Sequence, residues 1–109
     1  MSLPVIVLRE AERDLESIVD FIAAHDSAEN ARHILRSLND VIRRLANLPS
    51  RGNVSRELRA LGLTQFREAH HKPYRIIYRV REASVVVHCI VDGRRDMQSL
   101  LQRRLLHAP

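Results

Sequence analysis

The hydrophobic positions at the start of the chain change spacing once, from that of a strand to that of a helix. Val5-Ile6-Val7-Leu8 is rich in β-branched residues and predicts a first strand. From Glu10 onward the apolar residues follow the i, i+3, i+4, i+7 spacing of one helix face, which predicts a first helix that ends near His25. The apolar face of this helix consists of Leu15, Ile18, Val19 and Ile22.

A second apolar stripe, from Ala31 to Leu48, predicts a second helix that Pro49 stops. The residues from Asp26 to Glu29 resemble a capping box, in which the Asp26 carboxylate accepts from the first exposed amides. Because the connection is short, the two helices should form an antiparallel hairpin. Their apolar stripes must then be buried against other elements.

The second half of the chain has the alternation of β-strands. Residues 53–63 predict a loop with a short helical turn. Three strand-like runs follow, at 64–71, 73–80 and 84–91, and they predict an antiparallel meander. Asp92-Gly93 ends the last run.

Apolar residues near the end of the chain predict a C-terminal helix, and they are Met97, Leu100, Leu101 and Leu105. The elements together predict an α+β fold in one domain, residues 1–109. An N-terminal strand precedes an antiparallel two-helix hairpin, which packs on a mainly antiparallel four-stranded sheet, and a short C-terminal helix follows.

The middle run of the meander divides its side chains between two faces. The set expected to face the hairpin is Tyr74, Ile76, Tyr78 and Val80, and the opposite set is Arg75, Ile77 and Arg79. Arg67 on the preceding strand joins the second set in one possible register. We therefore expect arginines on an open face of the sheet.

The net charge of +5 is unevenly distributed. Residues 1–50 hold 6 Lys and Arg against 8 Asp and Glu, a charge of −2, whereas residues 51–109 hold 12 against 5, a charge of +7. Lys72 is the only lysine. Guanidinium groups bind carboxylates and phosphates in bidentate fashion, so an acidic partner and a plain solvated basic surface are both consistent with this composition.

The sequence argues against a membrane protein, a metal site and a cofactor. No apolar run reaches the length of a membrane span and the N-terminus does not resemble a signal peptide, which predicts a soluble cytoplasmic protein. Cys89 is expected to be a buried apolar residue and His88 a satisfied core residue. His70 and His71 should point to opposite faces, and no Cys or carboxylate completes a zinc set around them.

A free nucleic-acid-binding module is a further possibility, which the basic composition favours. The chain has no helix-turn-helix pattern, and its 4% aromatic content is too low for a base-stacking surface. Arg103 and Arg104 are expected only to complete the last turns of the C-terminal helix, where cations are favourable.

The order of elements resembles the RelE/ParE superfamily of type II toxin–antitoxin toxins over nearly the whole chain. The resemblance is carried by the strand from Tyr74 to Val80 and by Asp92-Gly93-Arg94-Arg95-Asp96. Residues 11–22 and 48–52 are similar to the first helix and to the exit of the second helix in ParE-type members. Arg9 departs from the family pattern, because many relatives have Thr or Ser there.

The resemblance implies one of two activities. RelE-type toxins cleave mRNA in the ribosome, which requires a proton acceptor, cations and an acid for the leaving group. Arg75 and Arg95 match arginines of such a site, but Phe66 and Glu68 occupy its lysine positions and Leu101 its tyrosine position. No aromatic residue follows Asp96, so His107 is the remaining candidate for the acid. The resemblance therefore favours the ParE branch, which inhibits DNA gyrase by binding and is not an enzyme, with a RelE-like endoribonuclease as the alternative.

The resemblance also implies partners and contact residues. The partners are a ParD-like antitoxin, with which the toxin forms a hetero-oligomer, and DNA gyrase; operator DNA is bound only through the antitoxin complex, and no membrane is involved. The residues expected to contact the target are Arg75, Arg79, Arg94, Arg95, Asp96 and Met97. The residues expected to contact the antitoxin are Leu15, Ile18, Ile22, Leu38, Arg67, Arg75 and Arg79.

Overall fold

The computed structural model describes residues 2–106. Its elements in chain order are β1 (Val5–Val7), α1 (Arg9–His25), α2 (Ala28–Arg44), α3 (Arg56–Ala60), β2 (Arg67–His71), β3 (Tyr74–Arg81), β4 (Ser84–Asp92) and α4 (Met97–Leu105). The predicted order of elements is confirmed, including the short helix between the hairpin and the meander. No helix within the described residues is long and apolar enough to cross a bilayer.

The strands form one mixed sheet in the order β1-β4-β3-β2. β1 pairs parallel to β4, with Val5 opposite Val85, and the other pairs are antiparallel. Arg75 lies opposite His70 on β2. The predicted α+β fold with a mainly antiparallel sheet is therefore confirmed.

The hairpin of α1 and α2 covers one side of the sheet, called here the hairpin face. Its buried cluster consists of Ala11, Leu38, Ile42, Leu45, Ile76, Tyr78, Val85, Val87 and Ile90. Tyr78 is fully buried, and its hydroxyl donates to the Pro49 carbonyl at 2.8 Å and accepts from the Gly52 amide at 2.9 Å. A Cβ on Gly52 would lie 2.5 Å from that hydroxyl, so the tyrosine and the glycine hold the exit of α2 against the sheet.

Two details of α2 differ from the prediction. The N-cap is Ser27, whose hydroxyl accepts from the Asn30 amide at 3.0 Å, while Asp26 accepts from the Asn30 side chain at 2.6 Å. Ser27 is the residue that directly precedes the first helical turn, and its extended backbone aims the hydroxyl at the exposed amides. The helix ends at Arg44, and the chain continues through turns to Leu48.

The other side of the sheet, called here the α3–α4 face, is largely covered, so the expectation of an open face is wrong. Its buried cluster consists of Leu58, Leu63, Phe66, Ile77, Cys89, Val91, Met97, Leu100, Leu101 and Leu105. All four apolar residues predicted for the C-terminal helix are buried in it. Both faces of the sheet are thus apolar along β4, which explains why β4 is a nearly continuous apolar run.

A β-bulge shifts the side chains of β4 by one position. Tyr78 lies opposite Val87 and Ile77 opposite Cys89, which leaves His88 as the extra residue. Val87 packs on the hairpin face and Cys89 on the α3–α4 face. The bulge therefore places two consecutive side chains of β4, those of His88 and Cys89, on the α3–α4 face.

Candidate functional site

Arg75 is the centre of an ion-pair cluster on the α3–α4 face. Its Nε and Nη2 donate to the Glu68 carboxylate of β2, with Nη2 to Oε2 at 2.6 Å. Its Nη2 and Nη1 donate to Glu57 of α3 at 3.0 and 3.2 Å. The Arg75 side chain is 14% exposed and that of Glu68 is fully buried. Arg75 is therefore committed to two internal carboxylates and presents little surface to a partner.

The protonation states in the cluster follow from these contacts. The hydrogen bonds that Arg75 donates to Glu57 lower the pKa of Glu57, and those that it donates to Glu68 raise the pKa of Arg75. One guanidinium faces two carboxylates, which gives a formal charge of −1. His70 Nε2 lies 3.5 Å from Glu68 and its side chain is half exposed. The cluster is thus a closed, slightly negative arrangement with a histidine at its edge.

The turn after β4 packs directly on Arg75. A Cβ on Gly93 would lie 2.5 Å from Arg75 Cδ and 3.1 Å from the Pro73 carbonyl oxygen. The Gly93 amide donates to the same Pro73 carbonyl at 2.8 Å. Only glycine permits this close approach. The strand and the Gly-Arg-Arg turn that carry the resemblance are therefore in contact with each other.

The charged residues of the turn have different roles. Arg94 pairs with Asp92, at 2.6 Å between Nη2 and Oδ2, and its hydrogen bond lowers the pKa of Asp92. Asp96 is the N-cap of α4 and accepts from the Ser99 amide and hydroxyl at 3.2 and 2.8 Å, which lowers the pKa of Asp96. Arg95 is exposed. Arg95 is therefore the turn residue most available to a partner.

Met97 was expected to contact the target, but the structure contradicts this assignment. Its side chain is 3% exposed and belongs to the cluster on the α3–α4 face. The helix that follows the turn directs this first apolar position inward. Sequence reasoning extended the contact surface one residue too far, because the cap at Asp96 marks the point where the chain returns to the core.

Arg79 and Arg67, the other two strand arginines assigned to partner contact, lie on different faces of the sheet. Arg79 lies on the same face, with its guanidinium 5.4 Å from the centre of the Phe66 ring. Arg67 lies opposite Tyr78 on the hairpin face, where its Nη1 donates to the Gly52 carbonyl at 2.7 Å. The register that would place Arg67 beside Arg75 on one face is therefore not the one formed, since the observed pairing differs from it by one residue.

The apolar residues assigned to antitoxin contact lie mostly inside the protein. Leu38 is fully buried and Ile22 is 8% exposed, while Leu15 and Ile18 pack against the same cluster. These positions form the inner face of the hairpin, which the sheet already covers. Burial therefore argues against partner contact through Leu38 and Ile22, while the assignment of the half-buried Leu15 and Ile18 stays a prediction. A helical stripe alone does not distinguish the chain's own core from a partner's surface.

Arg104 has a structural role that sequence reasoning missed. Its guanidinium binds Asp14 of α1 in bidentate fashion, at 3.0 and 2.9 Å, and Asp14 also accepts from the Ile90 amide at 3.0 Å. The contact raises the pKa of Arg104. This ion pair joins α4 to α1 and β4. No local pattern in the sequence could have identified it, because the two residues are far apart in the chain.

His88 and Cys89 are both buried, but their polar atoms differ. Burial raises the pKa of the Cys89 thiol to about 12, so Cys89 behaves as the predicted apolar residue. Burial, and then the charge of Arg79, lowers the pKa of His88 to about 4. His88 Nε2 has no hydrogen-bond partner among residues 2–106, which contradicts the expectation of a satisfied core histidine. No metal-binding group of His, Cys, Asp and Glu occurs within that range.

The positions where a RelE-type site has its catalytic groups are occupied here by core residues. Phe66 is 1% exposed, Leu101 is fully buried, and Glu68 is bound to Arg75. A phosphate placed beside Arg75 would face two carboxylates. His107, the last candidate for a general acid, lies outside the described residues. Phe66 and Leu101 therefore contribute packing, and Glu68 contributes an ion pair, within residues 2–106.

The fold and the packed Gly-Arg-Arg turn define a toxin of the RelE/ParE superfamily. Residues 5–97 match the family model described as ParE toxin of type II toxin-antitoxin system, parDE. The chain belongs to this family and is a ParE-type toxin of a toxin–antitoxin system.

Two solved structures have the same fold. One is described as the chromosomal ParDE TA system from P. aeruginosa, with a TM-score of 0.71, 17% identity, and coverage of 84% of this chain and 96% of that chain. The other is the toxin-antitoxin complex RelBE2 from Mycobacterium tuberculosis, with a TM-score of 0.61, 21% identity, and coverage of 84% and 99%. No curated protein sequence matches the chain.

Proposed function

We propose that this toxin acts by binding and inhibiting DNA gyrase, and that a ParD-like antitoxin neutralises it. The observation that supports this proposal is the state of Arg75. Each of its three side-chain nitrogens donates to Glu57 or Glu68. The arginine that a nuclease would use to stabilise a phosphorane is therefore already neutralised by the protein's own carboxylates.

Cleavage of RNA at this site would be unfavourable for two reasons. The formal charge of −1 on the Arg75 cluster repels a phosphate, and removal of Arg75 from its carboxylates would leave Glu68 buried without a partner. His70 lies beside the cluster and could accept a proton, but it already contacts Glu68. A reaction of this type depends on groups that act as a unit, so one isolated candidate supports little rate.

Binding to a protein target requires less of the site. The Gly93 turn places Arg95 on the surface, and the basic half of the chain supplies a positive field that would favour association with an acidic surface. Arginine is also enriched among residues that dominate interface energies. We therefore assign target contact principally to Arg95, with Arg94 paired to Asp92 beside it.

The antitoxin proposal rests on family membership and on charge. The two similar structures are described as toxin–antitoxin assemblies. The charge of +7 in residues 51–109 suits an acidic partner segment that orders on binding. In this proposal, operator DNA is bound only through the complex with the antitoxin.

The test is supercoiling of relaxed plasmid by purified gyrase, run beside ribosome-dependent cleavage of mRNA with the same protein. The proposal predicts loss of supercoiling, accumulation of linear DNA and intact mRNA. Cleaved mRNA with unaffected gyrase would contradict it and would assign the RelE-like activity instead. A preparation purified with and without the antitoxin provides the control, because the complex should be inactive in both assays.

A further inference from the structure

A groove crosses the sheet at the β1 edge, away from the Arg75 cluster. Its apolar lining comes from Ile6 of β1, Leu8 and Val86 of β4. Ile6 is 47% exposed although it lies in the middle of a strand. Ile6, Leu8 and Val86 therefore give the groove an apolar floor that an apolar side chain of a partner could cover.

His88 lines this groove and has an unsatisfied polar atom. The residue is only 6% exposed, and its Nε2 has no hydrogen-bond partner in the described part of the chain. The bulge in β4 turns the ring toward the α3–α4 face, where its edge contacts Phe66 with 4.9 Å between ring centres. Buried polar atoms are nearly always paired, so this nitrogen points to a group that is supplied from outside.

The charges around the groove indicate which kind of chemical group from a partner it would bind. From β3, Arg79 and Arg81 line it, and Glu82 in the following turn is the carboxylate opposite them. Arg104 of α4 donates to the His88 carbonyl at 3.4 Å, and Asp14 of α1 is already bound to Arg104. The excess of guanidinium groups favours an anion. Burial and Arg79 hold the pKa of His88 at about 4, so at neutral pH the ring is uncharged and can donate one hydrogen bond.

We infer that this groove receives an acidic side chain of the antitoxin, flanked by apolar residues, and that its carboxylate accepts a hydrogen bond from His88 Nε2. The apolar neighbours would cover Ile6 and Val86, and Arg81 would strengthen the attraction. The inference rests on the proposed antitoxin partnership. It gives that partnership a contact surface different from the inner hairpin stripe, which the protein's own core occupies.

The test measures the affinity for the proposed ParD-like antitoxin of three forms of the toxin: wild type, His88→Phe and the control His71→Phe. His71 is half-buried on β2, and its register position puts it on the hairpin face. Loss of one charged hydrogen bond should raise the dissociation constant of the His88→Phe complex about ten- to hundredfold, and that of the control less than about twofold. Equal affinities for all three forms would overturn the inference and leave the partnership intact.

A second measurement keeps the result independent of the folding of the variant. Nitrogen NMR of the histidine rings in the wild-type protein follows His88 directly. The inference predicts that its ring signals move on complex formation and that its pKa rises from about 4, because a carboxylate stabilises the charged ring. Unchanged His88 signals in a formed complex would overturn the inference. Signals that move with toxin concentration alone would assign the groove to a second copy of the chain, which also overturns it.

Absence of any complex with the wild-type toxin would have a different meaning. It would contradict the proposed antitoxin partnership itself, and the inference with it. The affinity series and the NMR series therefore separate failure of the groove assignment from failure of the proposed function.

Discussion

The two faces of the sheet are both buried, but different interactions hold them. The hairpin face is an apolar cluster in which Tyr78 supplies the principal polar contact, to the loop after α2. The α3–α4 face combines an apolar cluster with the ion pairs of Arg75 and with an unsatisfied histidine. The first face is closed by packing. The second is closed in part, and it carries the groove to which we have assigned antitoxin contact as a proposal.

The comparison shows why the roles of the arginines in this sequence cannot be assigned from their number alone. Arg75 and Arg104 have carboxylate partners from distant parts of the chain, and they stabilise the fold. Arg95 follows the glycine turn and is exposed. Residues of the same type, in the same basic half, therefore have structural and contact roles that depend on long-range geometry.

The largest expected effect is a loss of stability when the ion-pair cluster on the α3–α4 face is broken. Arg75→Ala leaves the fully buried side chain of Glu68 without a cation, and we expect the free energy of unfolding to fall by about 3–5 kcal/mol in urea denaturation. The double variant Arg75→Met with Glu68→Met should recover most of this loss, because removal of both charges costs much less than removal of one. A loss below about 1 kcal/mol for Arg75→Ala would contradict the structural role of the cluster.

The second effect is a pH dependence that belongs to the α3–α4 face. The pKa of His88 is lowered from 6.5 to about 4, so between these values the unfolded chain binds a proton and the folded protein does not. Stability should therefore fall by about 3 kcal/mol as the pH decreases from 6.5 to 4. The stability that Glu57 contributes begins to be lost only below pH 4.5, its ordinary pKa, because the hydrogen bonds from Arg75 lower the pKa of Glu57 in the folded protein.

The variant His88→Phe provides the control for this pH dependence. It removes the titrating ring nitrogen while keeping an aromatic ring beside Phe66, so denaturation curves between pH 6.5 and 4.5 should become nearly superimposable. An unchanged slope in that range would show that other groups produce the acid sensitivity of the protein.

The third effect tests the hairpin face. Tyr78→Phe removes a hydroxyl that binds both Pro49 and Gly52, and we expect a loss of about 2 kcal/mol with no change in acid sensitivity. Tyr74→Phe is the matched control on the same strand, because Tyr74 is only half-buried, and its effect should stay below about 0.5 kcal/mol. Equal effects of the two substitutions would contradict the role of the Tyr78 hydroxyl.

Most of the fold follows from spacing, because periodicity records which side of an element is buried. It predicted the element order, the four buried residues of α4 and the burial of Tyr78 and Cys89. The prediction that the sheet face bearing Arg75 would be open was wrong. Three alternating residues on one strand do not show that α3 and α4 return to cover that face. Burial on the α3–α4 face depends on where α3 and α4 pack, and strand alternation does not record this.

The site was less predictable for the same physical reason. The pairing of Arg75 with Glu57 joins a loop helix to a strand, and that of Arg104 with Asp14 joins the two ends of the chain. Neither has a local signal. The bulge at His88 changes the register by one residue within an unbroken apolar run, and it leaves the buried Nε2 of a residue that lines the groove without a partner in the described part of the chain. Alternation alone would place that side chain without revealing that its polar atom lacks a partner.

The central claim is that this toxin acts through an exposed contact arginine while Arg75 serves the fold. Its most direct test is the inhibition of gyrase supercoiling by Arg95→Ala and by Arg103→Ala, an equally exposed arginine on α4, with thermal unfolding of both. We predict that both variants keep the wild-type melting temperature and that only Arg95→Ala loses inhibition, by about tenfold or more. Full inhibition by Arg95→Ala would contradict the claim.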